Sequence, residues 1–343
     1  MTVRPTPWLL EARRRQAEFR SRSQTISARG RSPSDPTGRR HDHLLALGSE
    51  DENLFPGIRG PEGARAFFKA RGIKWWTSPS SGDKQTSPGP TRNLTSSQVA
   101  CVNFWLPLAH RPDVLLAILG MLDTDVRAIA PLRYVAKTTG EVVATNVELE
   151  WVGMTSTLEG KKYSRGAHAT SADALVVAHL EGGGRRAYII EWKFVEKYGR
   201  ADKGKGAKGR ERRKCYTARY QAPSSPLDSR IPLTNLLYDP FYQIMRLALL
   251  GGKMIEEQEF GVTEAKVVVV CPEENREYRE CITSPTLKVR FRECRTVLEV
   301  LNKLWRRPEY VAITTQHALT EAVVRNRVPG LDEWIAYQED RYP

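Results

Sequence analysis

Two apolar stretches, one with an acid at its edge and one with charges inside it, where a buried strand should have none, constrain this chain most. Ala174-Leu-Val-Val-Ala-His-Leu180 and Tyr188-Ile-Ile-Glu-Trp-Lys-Phe-Val195 have the Val, Ile and aromatic content of strands, and Glu181-Gly-Gly-Gly184 between them reads as a turn. The pair is expected to form a β-hairpin. Opposed residues of an antiparallel pair have numbers that sum to a constant, and a turn centred between positions 182 and 183 sets that sum at 364 to 366. Asp173 then falls opposite a residue between Glu191 and Lys193. Side chains alternate along a strand, so Glu191 and Lys193 share one face and Trp192 takes the other. A slip of one residue would exchange the faces. Charges embedded in an apolar strand are costly unless they are paired or liganded.

The preceding segment adds more acid. Glu141-Val-Val-Ala-Thr-Asn-Val-Glu-Leu-Glu-Trp-Val152 reads as one strand, with Glu148 and Glu150 on a shared face. If it pairs with the hairpin, one of the two joins the cluster. Carboxylates crowded in this way repel one another unless a cation lies between them. Hard oxygen donors suit Mg²⁺, with Mn²⁺ as a substitute. Mg²⁺ takes one or two carboxylates, keeps waters and binds substrate phosphate. Lys193 would add positive charge beside the scissile phosphate. The set suits phosphodiester hydrolysis.

Charge supports an acidic partner. The 343 residues hold 53 Lys+Arg against 40 Asp+Glu, a net charge of +13, and nucleic acid is the commonest partner of such a surplus. Residues 1–43 contain ten Arg and four acids among Pro, Ser and Gly. Arg200 to Lys214 contains eight Lys/Arg, two acids and three Gly. The latter is expected to be a mobile loop with Lys203, Lys205, Lys208, Arg210, Arg212, Arg213 and Lys214 gripping a phosphate backbone. Its Gly204-Lys-Gly206-Ala-Lys-Gly209 spells G-x-G-x-x-G, but no strand precedes it and no apolar helix follows, so a nucleotide cofactor is not expected. The longest apolar run in a candidate helix, Val114 to Leu122, is too short for a bilayer. The first residues lack the apolar core of a secretory signal, and the five cysteines are scattered without a Cys-x-x-Cys pair. The chain is therefore read as intracellular and cytoplasmic, without a membrane span, disulfide framework or zinc site.

Along the chain, residues 1–43 read as a basic, flexible arm with a short helix around Trp8 to Phe19. Residues 44–94 form an extension whose stretch 78–92 is a linker. Thr95-Ser-Ser-Gln98 has capping-box form before a helix that Pro107 ends. A second, buried helix is expected from Asp113 to Ala130. After the basic loop comes a helix with Asp239 as N-cap, Pro240 at its first position and Gly251-Gly252 at its end. Ala265-Lys-Val-Val-Val-Val-Cys271 reads as a buried strand. Thr296 to Arg306 and Leu331 to Tyr337 read as helices of a helical C-terminal extension over 276–343.

Asp173, seventeen intervening residues and Glu191-Trp-Lys193 resemble the active-site signature of the PD-(D/E)XK phosphodiesterase superfamily, the restriction-endonuclease-like nucleases. The strand–strand–strand–helix–strand order over residues 95–275 resembles that family's core. The resemblance implies an α/β fold with an αβββαβ core and a mixed central sheet, and Mg²⁺-dependent cleavage of DNA, less often RNA. It implies metal binding by Asp173 and Glu191 with Lys193 assisting. Where the family has a Pro before the Asp, this chain has Ala172. Members often carry an upstream acid that joins the metal ligands, for which Glu150, near the end of its strand, stands with Glu148 in reserve, and a polar residue on the helix after the third strand, for which Gln243 and Arg246 stand. Glu196 and His168 are auxiliary candidates, Glu196 as an orienting neighbour of Lys193 and His168 as a phosphate contact. DNA is the expected partner, RNA the alternative, and a homodimer is compatible with the sequence. A non-catalytic nucleic-acid-binding protein on a degenerate nuclease fold is the other reading, against which the presence of all three signature residues argues.

Overall fold

The computed structural model describes residues 5–32, 41–76, 89–136, 139–160 and 169–342. The elements in chain order begin with α1 (Pro7–Arg22), α2 (Ala64–Arg71), α3 (Ser97–Trp105) and α4 (Pro112–Leu122), then β1 (Val126–Ala130), β2 (Leu132–Val135), β3 (Val142–Thr145) and β4 (Glu148–Trp151). The hairpin strands β5 (Ala172–Leu180) and β6 (Arg185–Trp192) follow, then α5 (Gly206–Gln221), α6 (Phe241–Glu256) and β7 (Glu264–Val270). The chain finishes with α7 (Arg276–Arg279), α8 (Pro285–Arg290), α9 (Val297–Leu304), β8 (Val311–Thr314), α10 (Gln316–Arg325) and α11 (Asp332–Arg341).

The six-stranded sheet is mixed. One side of β5 pairs antiparallel with β1 along one half of its length and with β4 along the other, and its second side pairs antiparallel with β6. Beyond β6, strands β7 and β8 run parallel to it. Parity sorts the sheet's side chains into two cores. Ala174, Val176, Ala178, Ile190, Trp192 and Val268 join a cluster with α1, α3, α4 and α11, through residues such as Trp8, Phe104, Leu115 and Trp334. Leu175, Val177, Ile189, Val267 and Val269 join another with α6 and α9, through Ile244, Met245, Val300 and Leu301. The result is a helix–sheet–helix sandwich in which the hairpin lies in the middle.

The hairpin keeps its expected register: Ala174 pairs with Ile190, a sum of 364, which continues to Asp173 opposite Glu191. Other boundaries differ. The helix expected from Asp113 to Ala130 stops at Leu122, because Asp123 takes extended backbone and the β-branched Val126 and Ile129 pair along the upper half of β5. The single strand expected from Glu141 to Val152 is two. It breaks at Asn146, where the Thr145 hydroxyl bonds the Val147 main chain, so β3 pairs with β2 in a separate ribbon while β4 enters the main sheet. The N-cap of α3 is Ser96, whose Oγ accepts from Val99 N–H; Thr95 donates to Asn93 instead.

Helix α6 starts one residue later than expected, with Pro240 as its cap. Asp239 is not a capping side chain; it pairs with Lys203 at 3.0 Å. Gly251-Gly252 do not end the helix, which runs on to Glu256. The basic stretch expected to be a loop becomes α5. Its Lys, Arg, Glu and Ala favour helix once Tyr216 and Tyr220 are buried on one side. The N-terminal segment is not a flexible arm over its described residues. Trp8, Ala12 and Phe19 lie on one buried side of α1, the Trp8 indole donates to Phe194 O at 2.6 Å, and Gln16 bonds the buried Arg341. The C-terminal part is not helical alone, since β8 adds the sheet's outer parallel strand. Most of the linker expected over 78–92 lies outside the described residues. Among the described residues, no helix is long and apolar enough to cross a membrane.

Candidate active site

Three adjacent strands place one carboxylate each in a single row. Across β4 and β5, Glu148 pairs with Leu175 and Trp151 with Ala172, which puts Glu150 level with Asp173. Across β5 and β6, Asp173 is level with Glu191, and Glu191 pairs with Val269 of β7. The row is thus Glu150, Asp173, Glu191, followed by an apolar residue. Asp173 Oδ2 accepts from the Trp192 backbone N–H at 2.6 Å, which ties the acid to the neighbouring strand. Glu150 has a φ of 50°, the left-handed region that a side-chain-bearing residue adopts at a cost.

Hydrogen bonds hold Glu150 in that backbone state. Its Oε1 accepts from the Trp76 indole N–H and from Gln98 Nε2, each at 3.1 Å, and its Oε2 accepts from Ser171 Oγ at 2.8 Å. Burial raises the Glu150 pKa, the three hydrogen bonds oppose that, and Glu191 adds repulsion. Burial also raises the Asp173 pKa well above the usual carboxylate range; Glu191 and Glu150 push it further, and Lys193 only partly offsets them.

Lys193 Nζ lies 2.5 Å from Glu191 Oε1, and both side chains are buried. Burial alone would lower the lysine's pKa, but the negative field of Glu191 and its neighbours outweighs it and holds the pKa above the ordinary value. The Lys193 ammonium also lies 6.0 Å from the centre of the Tyr198 ring, and Tyr198 Oη donates to Gln243 Oε1 at 2.6 Å. Gln243 on α6 therefore reaches the cluster through a tyrosine. Arg246, one turn on, lies 4.8 Å from the Tyr242 ring, and its buried Nε has no hydrogen-bond partner among the described residues.

Other candidates fall elsewhere. Glu148 is fully buried and pairs with Arg71 at 2.8 Å, so it neutralises a helix α2 cation. Glu196 accepts from Phe194 N–H at 2.7 Å and from Ser97 Oγ, which pins the chain after β6 to the start of α3. His168 lies outside the described residues. Of the seven basic residues in and before α5, Lys203 is spent on Asp239, Arg212 on Lys203 O and Arg213 on Gly204 O. Lys205, Lys208, Arg210 and Lys214 remain exposed.

Sequence reasoning missed Gln98, Ser171 and Tyr198. Gln98 was legible only as part of a helix start, and Ser171 and Tyr198 carry no local pattern. Of the two adjacent tryptophans, Trp75 stacks on Phe68 at 3.8 Å between ring centres, and Trp76 reaches Glu150.

The donors decide what cation fits. Among the described residues, no three His, Cys, Asp or Glu side chains gather closely enough to cage an ion by themselves. A hard cation that keeps its waters requires only one or two carboxylates. Asp173 and Glu191, opposed across the hairpin and with too little positive charge to neutralise the row, fit that requirement in donor type and charge. A soft-metal site fits poorly: the Cys101 thiol beside the cluster has its pKa pushed well above the ordinary value by burial and by Asp173, Glu150 and Glu191, which disfavours the thiolate a soft metal takes.

A family model described as Restriction Endonuclease associating with ARP matches residues 78–343, the stretch that contains the whole sheet and every residue of the row. No curated protein and no solved structure gives a significant match.

Proposed function

The chain belongs to the family of restriction endonucleases associating with ARP, and on that premise we propose that it is a Mg²⁺-dependent endonuclease of the PD-(D/E)XK type that hydrolyses DNA. The observation that carries this reading is the row Glu150–Asp173–Glu191 with the Lys193 ammonium at 2.5 Å from Glu191. Asp173 and Glu191 would hold Mg²⁺ or Mn²⁺, with Glu150 as the third carboxylate. When bound, the ion would supply Lewis-acid neutralisation of the charge that grows on the phosphate.

The chain's own groups do the rest. Lys193, desolvated and paired, stays an ammonium, so it acts as a fixed positive charge beside the scissile phosphate rather than as a base. Glu191 holds that ammonium in place. The Trp192 N–H fixes the Asp173 carboxylate from the neighbouring strand. Tyr198 and Gln243 close one side of the cluster, and Trp76, Gln98 and Ser171 set the position of Glu150 on the other. The exposed cations Lys205, Lys208, Arg210 and Lys214 of α5 and its approach would meet the phosphate backbone in a salt-dependent way. The family's description also names ARP, so an associating protein partner is part of the proposal.

Supercoiled plasmid DNA and RNA, incubated in parallel with Mg²⁺ or Mn²⁺, test it. Wild type should nick or linearise the plasmid, EDTA should stop it, and Asp173→Asn and Lys193→Ala should each lose about 100-fold or more. Equal, EDTA-insensitive results from all three proteins would sink the reading. Salt-sensitive binding without cleavage under either metal would favour a non-catalytic binder, and cleavage confined to RNA a ribonuclease.

A further inference from the structure

Trp76 is 55% exposed, and among the described residues it is the only exposed Phe, Tyr or Trp. It is nonetheless anchored. Its indole N–H donates to Glu150 Oε1 at 3.1 Å, and its backbone N–H donates to Gln98 Oε1 at 2.7 Å. Gln98 in turn donates both to Glu150 and to Lys74 O, each at 3.1 Å, so one side chain ties the tryptophan's chain segment to the acid. Trp75, its neighbour, is stacked into the α2 helix on Phe68, which fixes the segment from behind. This one is held by its polar edge at a candidate catalytic carboxylate while more than half of the residue's surface stays open to solvent.

A ring held in that way has a face to offer and little conformational entropy to lose. The ligand that uses such a face beside a phosphate-cutting cluster is a nucleobase, since every base has a π-face and stacking requires no sequence. In an intact duplex those faces are covered by neighbouring base pairs. Only an unpaired, extrahelical or terminal base leaves one open. We propose that Trp76 is a stacking platform for an unpaired base next to the scissile phosphate, so that the preferred substrate is single-stranded or locally unpaired nucleic acid. Exposed Lys69 and Lys74 on the same stretch supply cations for the flanking phosphates. The proposal rests on the nuclease reading for the identity of the scissile phosphate, but stacking itself is measurable as binding.

The experiment is a fluorescence-anisotropy titration in EDTA, so that nothing is cut. A labelled 20-nucleotide single strand and the blunt duplex of the same sequence are each titrated with wild type, Trp76→Phe and Trp76→Ala. Phenylalanine keeps a stacking face and loses the donor to Glu150; alanine loses both. Trp76→Ala should weaken single-strand binding by about 5- to 150-fold, Trp76→Phe should restore most of it, and duplex binding should change by less than about twofold in either variant. Single-strand binding by Trp76→Ala equal to wild type would overturn the proposal. So would equal losses on both substrates with no rescue by phenylalanine, which marks a structural role. A parallel cleavage assay with Mg²⁺ separates the two claims. Asp173-dependent cutting together with an indifferent Trp76 defeats stacking alone, and intact stacking without any cutting defeats the nuclease reading alone.

Discussion

Asp173 sits level with Glu191 across the hairpin, and its Oδ2 accepts a 2.6 Å hydrogen bond from the backbone of Trp192, the residue between Glu191 and Lys193. Two carboxylates are thereby pressed together by main-chain geometry, not by choice of rotamer. The fold must supply the free energy to hold them there, as expected where a site is built for a cation or substrate and not for stability.

Asp173→Asn isolates that cost. Asparagine keeps the shape and an oxygen that accepts from Trp192 N–H, and it removes one charge from the row. The variant should be more stable than wild type by on the order of 1 kcal/mol, read as a higher urea midpoint in EDTA at neutral pH, while cleavage falls by about 100-fold or more. A variant that loses both stability and activity would show that the acid is structural.

Lys193 should behave in the opposite way. Its removal leaves Glu191 as a buried charge whose nearest cation is gone, a loss of about 3–5 kcal/mol for a broken buried pair. Lys193→Ala should therefore lower the urea midpoint, and Glu191→Gln combined with Lys193→Met should recover most of the stability with no activity. The double variant is the control that separates the pair's structural cost from its chemistry.

The hairpin was legible because its three glycines set the turn and its apolar flanks set the strand faces; the register, and with it the Asp173–Glu191 opposition, followed by counting. The Val-rich β7 was legible for the same reason. What surrounds the row was not. Glu150 is held by Trp76, Gln98 and Ser171, which lie 74, 52 and 21 residues away in the chain, and no local pattern announces contacts at such range. Basic composition hid the helix α5, expected as a loop, and the docking of α1, expected as a short helix around Trp8 to Phe19 but on a flexible arm. In α1 and α5 the charged residues dominate the count, while a few spaced apolar side chains, Trp8, Ala12 and Phe19 or Tyr216 and Tyr220, decide the fold by tertiary burial. The same error made the charge excess look more available for nucleic acid than it is, since Arg212 and Arg213 are spent on main-chain carbonyls.

His43 gives a pH dependence remote from the row. Burial lowers its pKa to about 4, with Arg13, His41 and Arg20 adding positive charge and Asp42 opposing them. A histidine kept neutral in the fold binds its proton less readily than in the unfolded chain. Its contribution is therefore fully present above the unfolded value near 6.5 and is lost as pH falls through about 4. Carboxylates titrate in the same range, so the informative quantity is a difference. The gap in melting temperature between wild type and His43→Gln should shift in favour of the variant as pH drops from 7 to 4. A gap independent of pH would mean that His43 is solvated in the native state.

The two glycines inside α6 make opposite predictions from one dipeptide. Glycine in a helix interior costs about 1 kcal/mol relative to alanine, so propensity alone says both substitutions stabilise. At Gly252 nothing opposes this, since a Cβ there would meet only Pro226 Cδ, at 3.8 Å. Gly252→Ala should raise stability by about 0.5–1 kcal/mol. At Gly251 a Cβ would lie 2.7 Å from the Ala265 Cβ of β7 and 2.9 Å from Ile189 Cδ1 of β6. Ala265 is on the sheet and has no rotamer to turn away, so the helix must lift from the strands, at about 1–3 kcal/mol for overpacking. That exceeds the propensity gain, and Gly251→Ala should be destabilising. Because β6 leads into Glu191, the shift should also lower cleavage, whereas Gly252→Ala should leave it unchanged. Urea titrations of the two variants with plasmid cleavage alongside check both halves, and a stabilised, fully active Gly251→Ala protein would contradict the packing of α6 on β6 and β7 described above.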